Sequence, residues 1–285
     1  MYSVGEIYRL LRWRLVAVRY LGKIGRVLAA PSLPRRAAPA SNPAAAEVAL
    51  KGHAPGPRIG SADIEAMRAI YEPRGREVQA TQAGHPFANL MRPEDLTPDS
   101  PALRFALSPE VLNAAHDYFG GNFRFDSVLV LHSFPTEGKL RESQMWHRDY
   151  GDSKSLHCVA YVNDVLEAQD GPFVFVDRED TRRIASSPLI RRIPDDKFAR
   201  ELGPGVIRTF FGQSGDSIFV DPAACYHLGS RCKRPRLAIF ATFNTDRPFV
   251  AAEPLLRHNH DKVMAAAMAI RPDLSADYLK QILPV

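Results

Sequence analysis

Apolar positions recur along this chain with changing periods. Over residues 2–28, Leu10, Trp13, Ala17, Tyr20, Leu21, Ile24 and Leu28 fall on one side at 100° per residue. Arg9, Arg12, Arg19, Lys23 and Arg26 fall on the other, and this pattern predicts a basic amphipathic helix within residues 1–30. The period then lapses. Residues 31–60 carry prolines at 31, 34, 39, 43, 55 and 57 among alanines and glycines, which predicts a linker without a core of its own. The body, residues 61–285, is expected to open with a short helix capped by Ser61 and running through Glu72. Ser108, Pro109 and Glu110 mark a second helix start, and Gly120-Gly121 its end.

Beyond Gly121 the period falls to that of strands. Residues 123–134, 144–150, 156–163, 172–176, 206–211, 217–220, 224–228 and 236–244 are short runs rich in branched and aromatic residues. Turn signals such as Asp170-Gly171-Pro172 and Gly215-Asp216 separate several of them. Such a series predicts a mainly β domain with flanking helices, either an antiparallel barrel or a two-sheet jelly roll. Residues 177–205 interrupt it with five arginines and a lysine between Arg182 and Arg200 and are expected to form an insertion over one mouth. Residues 261–282 return to a helical pattern.

Composition narrows the class without naming a function. In 285 residues, 45% are hydrophobic and 24% charged, as in ordinary globular proteins. No apolar run has the length of a membrane span. The net charge of +5 is unevenly placed: residues 1–36 carry +7, which leaves residues 37–285 at −2. The body therefore offers no case for nucleic-acid binding. The basic helix, residues 1–28, suits an anionic membrane surface, a protein partner, its own body, or a cleaved transit-type segment. Three cysteines without a close pair form neither a disulfide framework nor a zinc site, which favours a reducing, cytoplasmic setting.

Candidate chemistry concentrates in Gln144-Met145-Trp146-His147-Arg148-Asp149-Tyr150. On a strand, His147 and Asp149 project to one face and can take two neighbouring positions on a metal. His227, late in the β series, is the best third ligand. Two histidines and one carboxylate form the open-faced set of non-haem Fe(II) oxygenases, although a lone His-x-Asp also arises by chance. Arg236 opens an apolar strand without an acid near it in sequence; a small dicarboxylate ligand could complete it, and the other reading is an exposed arginine at a strand end. Arg234 shares its parity, but Pro235 cannot donate to a sheet ladder, and so the strand should begin after it. His132 and His157 lie on predicted strands near the site, where packing competes with a supporting role.

The run Ser143–Asp149, Leu156–Val165, Asp170-Gly171-Pro172-Phe173, Gly215–Gly229 and Arg236-Leu237-Ala238 resembles the phytanoyl-CoA dioxygenase-like branch of the 2-oxoglutarate/Fe(II) oxygenases. The resemblance spans about residues 105–245. It implies a double-stranded β-helix (jelly roll, cupin-like) with Fe(II) on His147, Asp149 and His227. It further implies 2-oxoglutarate on Arg236, with Arg234 as rival, O2 as co-substrate, and hydroxylation of a small organic molecule. Gln144, His132, His157 and Ser230 are expected to support the ligands from behind. Asp149 implies a hydroxylase-type centre, since halogenating members lack that carboxylate. Val176-Asp177-Arg178-Glu179-Asp180 departs from the branch's usual Pro-Gly-Ser-His turn. Two rival readings stay open: a cupin-like metal enzyme without 2-oxoglutarate, and a non-catalytic binding module.

Overall fold

The computed structural model describes residues 42–78, 86–135, 138–184 and 192–283; the basic helix expected at residues 1–30 lies outside them. A helix α1 (Pro43–Lys51) leads to a short strand β1 (His53–Pro55), a long helix α2 (Ser61–Glu77) and an edge strand β2 (Phe87–Asn89). Helices α3 (Pro101–Ala106) and α4 (Pro109–Phe119) precede the long strand β3 (Phe123–Ser133). The remaining β elements are β4 (Ser155–Tyr161), β5 (Phe173–Val176), β6 (Ile207–Phe210), β7 (Ser217–Val220), β8 (His227–Leu228) and β9 (Arg236–Thr245). Helices α5 (Arg178–Arg183) and α6 (Asp195–Glu201) lie between β5 and β6, and α7 (Pro254–His258), α8 (His260–Ile270) and α9 (Ala276–Ile282) end the chain. None of the described helices is long and apolar enough to cross a membrane.

Two antiparallel sheets result. The larger has the order β1-β7-β4-β9-β3-β2 and the smaller β6-β5-β8. Register assigns the faces of the larger sheet. Leu129, Leu131 and Ser133 of β3 stand opposite Phe240, Ala238 and Arg236 of β9. His157 and Val159 of β4 stand opposite Thr242 and Phe240. These residues share one face, because side chains alternate along a strand. The other parity (Val128, Val130, Leu156, Cys158, Leu237, Ile239, Ala241, Phe243) is buried in the core formed with the helices. The helices thus cover one side of the larger sheet and leave the other for a cavity.

Local sequence chemistry explains several boundaries. The Ser108 side chain caps α4 by accepting from the Val111 N–H, Pro109 takes the first turn, and Gly120 ends the helix at φ 70°. The helix expected from Ser61 to Glu72 runs on to Glu77, and Gly60 rather than Ser61 occupies its cap position. Pro235 does precede a strand that begins at Arg236. The helical stretch expected over residues 261–282 divides into α8 and α9 rather than one element, and α7 precedes it.

The linker expected over residues 31–60 is corrected from Asn42 onward. Pro43 sits in the first turn of α1, where a missing N–H costs nothing, and the Asn42 side chain caps the helix. Ala45 and Val48 are buried, and β1 pairs with β7 as the sheet's edge. Gly52, at φ 92°, turns the chain between them, and any Cβ there would collide with the Cys225 sulfur. Prolines here cap a helix and border an edge strand, both positions that tolerate them.

One buried carboxylate joins these parts. Asp221 accepts from Tyr118 Oη at 2.5 Å, Arg178 Nη2 at 3.1 Å and the Ala223 and Ala224 N–H groups at 3.0 and 3.1 Å. Arg178 also donates to the Val48 carbonyl at 3.4 Å. Burial pushes the Asp221 carboxyl up, while Tyr118 and Arg178 hold it down. Helix α4, α1, the start of the 177–205 segment and the loop before His227 therefore meet at one charge.

A chain beginning at Ile59 should unfold at lower denaturant than one beginning at Asn42, by about 2–3 kcal/mol for the burial of Val48 and its neighbours; equal midpoints would contradict the packing of α1 and β1. Asp221→Ala should cost about 3–5 kcal/mol, because it strands the Arg178 guanidinium, and calorimetric or denaturant unfolding reads this directly.

Candidate metal centre

Gln144–Tyr150 is not the regular strand that alternation predicts. Residues 142–144 form a single 3-10 turn, and only Trp146 and His147 make ladder contacts. The contact at His147 is reciprocal. His147 N–H donates to the His227 carbonyl at 3.0 Å, and His227 N–H donates to the His147 carbonyl at 2.9 Å. Two segments eighty residues apart are thereby locked side by side, with His227 also paired to Phe175 of β5. Asp149 is fixed in the same way, its N–H donating to the Pro222 carbonyl at 2.8 Å.

The side chains converge. His147, Asp149 and His227 each offer one ligand atom, and these atoms lie within 4.8 Å of one another. Asp149 Oδ1 is 3.6 Å from His147 Nε2 and 3.8 Å from His227 Nε2. The far ring nitrogens are engaged alike: His147 Nδ1 bonds the Met145 carbonyl at 2.8 Å and His227 Nδ1 the Cys225 carbonyl at 3.0 Å. A carbonyl only accepts, so each Nδ1 carries the proton and each Nε2 lone pair faces the centre, which is the tautomer a metal needs. Burial, with His227 close by, pushes His147 down to about 3, so it is neutral at physiological pH. For Asp149, burial acts upward, but the His227, His147 and His157 imidazoles outweigh it and hold the carboxyl below its usual range. The donor set and its proton placement fit a divalent metal.

Arg236 stands on the opposite wall, at 3% exposure. Its guanidinium donates to the Gly171 carbonyl, to Ser133 Oγ at 3.1 Å and to Ser230 Oγ at 3.5 Å. It has no carboxylate within ion-pair reach among the described residues, and Nε is buried without a partner. Burial lowers its pKa. Leaving a buried charge unmatched costs several kcal/mol, a cost that an acid bound beside it would offset. Arg234 differs: it is half-exposed and already paired with Glu167 and, at 2.9 Å, with Asp170.

The supporting residues divide. Gln144 is buried, accepts from the Arg141 N–H and donates to the Ser230 carbonyl at 3.0 Å. Ser230 holds φ 58° and shares a 3.0 Å contact with Ser133 Oγ beside Arg236. His157 reaches the cavity, with Nε2 3.9 Å from Asp149 Oδ2, and burial pushes it down to about 4. His132 is corrected: it has the opposite parity to Leu131 and faces Gly75 of α2 in the helical layer. The alternation that predicts strand β3 excludes it once the inward face is known. The same parity brings in Ser133, which no local motif singles out.

A cavity of about 350 Å³ joins these groups; His147, Asp149, His157, His227, Ser230 and Arg236 all line it. No family model matches the sequence, and no curated protein matches it. Solved structures do match the fold. SnoK, a non-heme alpha-ketoglutarate-dependent carbocyclase from nogalamycin biosynthesis, is 18% identical with a TM-score of 0.53, over 80% of this chain and 92% of that one. EctD from S. alaskensis, solved with 2-oxoglutarate and 5-hydroxyectoine, is 17% identical with a TM-score of 0.51, over 75% and 79%. The non-heme monooxygenase ThoJ is 15% identical with a TM-score of 0.51, over 80% and 97%. The chain therefore has the jelly-roll fold of the non-haem iron and 2-oxoglutarate oxygenases, with a His-Asp-His set at its centre that can hold a metal.

Proposed function

We propose that the protein is a non-haem Fe(II)- and 2-oxoglutarate-dependent dioxygenase that hydroxylates a small organic substrate. The observation that carries this reading is the pairing of two walls. Two imidazoles and one carboxylate stand together beside the smaller sheet, and a buried guanidinium lacking an acid stands on the other side. A dicarboxylate with an oxo acid at one end suits both. The sequence motifs at 143–149, 156–165 and 236–238 favour the phytanoyl-CoA dioxygenase-like branch in particular.

His147, Asp149 and His227 would hold the iron, and Arg236 the distal carboxylate of 2-oxoglutarate. Held there, iron and 2-oxoglutarate would supply, with O2 as oxidant, oxidative decarboxylation to succinate and the oxidising power for hydroxylation. The chain's own contribution is placement. The Met145 and Cys225 carbonyls keep the Nδ1 protons away from the metal face. Ser133 and Ser230 orient the Arg236 fork. Leu129, Leu131 and Phe240 line the walls and limit water. A cupin-like enzyme without 2-oxoglutarate would have no use for a buried, acid-free Arg236.

Succinate release from 2-oxoglutarate with Fe(II), ascorbate and air tests the reading; iron binding without succinate would favour the cupin-like alternative. His147→Ala, Asp149→Ala and His227→Ala should each abolish stoichiometric iron binding while thermal unfolding stays cooperative, and full iron content in any of them would remove that residue from the set. Arg236→Ala removes one partner of a buried charge pair, worth about 3–5 kcal/mol. Half-saturation by 2-oxoglutarate should therefore rise about a hundred-fold or more, with iron content unchanged. Arg234→Ala, at an exposed and screened position, should shift it by less than about three-fold; the reverse ranking would move the anchor to Arg234.

A further inference from the structure

The cavity holds a second arginine, supplied by the 177–205 segment. An antiparallel bridge pairs Trp146 with Ile193, the Ile193 N–H donating to the Trp146 carbonyl at 2.9 Å. Trp146 and Ile193 point into an apolar cluster, where Trp146 stacks on Phe198 at 3.9 Å. One step along this register Arg192 stands opposite His147, and residues opposite one another share a face. Arg192 is accordingly turned to the side of the metal ligands, and it lines the same cavity.

Its side chain is 25% exposed. Nη2 donates to Glu142 Oε2 at 3.2 Å, while Nη1 is buried without a partner. Glu142 is itself 54% exposed, so water screens the pair. Its backbone holds φ 44°, a conformation that non-glycine residues seldom adopt, and this fixes the carboxylate that orients Arg192. The next residue, Ser143, also lines the cavity, and its Oγ is likewise buried without a partner. Phe87, Leu129, Leu131 and Phe240 supply the apolar remainder of the wall. Neither Arg192 nor Ser143 is needed by 2-oxoglutarate, whose distal carboxylate is met by Arg236.

We propose that Arg192, with Ser143, binds a carboxylate of the primary substrate, which is therefore a small carboxylic acid with an apolar body. This rests on the oxygenase reading of the same cavity. A guanidinium edge and one hydroxyl match the two oxygens of a carboxylate. A phosphate would leave oxygens unmet among apolar walls. A cavity of about 350 Å³ is near the small end of ligand sites and must hold the cosubstrate too, which limits the acid to a short or compact one.

The test is calorimetric titration of the full-length protein, holding Fe(II) and 2-oxoglutarate without oxygen, with hexanoate, cyclohexanecarboxylate and 3-phenylpropionate and with their primary amides. At least one acid should bind wild type about ten- to a hundred-fold more tightly than its amide, as charge-assisted hydrogen bonds allow, and Arg192→Gln should erase the difference. Equal affinities for acids and amides, no binding by any of them, or an acid preference that survives in Arg192→Gln would each overturn the proposal. The wild-type comparison does not depend on a variant folding. Titration of 2-oxoglutarate into the iron-loaded wild type separates the two failures, since an absence of binding there would sink the oxygenase reading itself.

Discussion

Two hydrogen bonds, exchanged between the backbones of His147 and His227, are the constraint on which the centre depends. They fix the two imidazoles in adjacent positions without requiring a long strand on either side. Strand β8 is only two residues long, and the His147 segment is a bridge rather than a strand. Such short elements are rigid only if their flanks are held, and the flanks are. The loop from Asp221 to His227 is tied at one end to Tyr118 and Arg178 and grips Asp149 through the Pro222 carbonyl. Helical layer, inserted segment and ligand loop thus share one buried carboxylate. The arrangement puts stability and the placement of the three candidate ligands on the same few atoms.

The opposite wall obeys a different constraint. Arg236 is held at the mouth end of β9 by a carbonyl and two hydroxyls, none of them charged. Neutral acceptors orient a guanidinium without satisfying its charge, and on the proposed reading an acid would supply what is missing. The His147, Asp149 and His227 set carries one negative charge from Asp149, and burial keeps the His147 imidazole neutral. On the proposed reading, a divalent ion and a dianionic cosubstrate would bring Asp149 and Arg236 close to electrical balance. Fold alone would not license this inference, since related folds host different outcomes; SnoK is a carbocyclase and ThoJ a monooxygenase. The charges that line this particular cavity carry it.

Much of this was legible in the sequence because local chemistry set it. The cap and stop of helix α4, the start of β9 after Pro235 and the inward parity of Arg236 all follow from single residues and a two-residue period. Strand alternation pairs His147 with Asp149, and His227 follows only as a histidine late in the β series, yet the structure assembles the three through a bridge and a turn. Where alternation is read without knowing which face is covered, it misassigns His132, which lies against α2. Composition misleads over residues 42–60, where prolines at a helix start and a sheet edge resemble a linker. Arg192 was not legible at all, because its place beside His147 depends on a pairing made across the chain.

On the proposed reading, His147, Asp149 and His227 would hold the metal that meets one end of 2-oxoglutarate, and Arg236 would hold the other end. The most direct test is an oxygen-free calorimetric titration of 2-oxoglutarate into the wild-type protein, with and without Fe(II). Two anchored ends should make the affinity depend on the metal by about ten- to a hundred-fold, since one charge-assisted interaction is worth about 1.5–3 kcal/mol. An affinity that is the same with and without Fe(II), or no binding in either state, would contradict it.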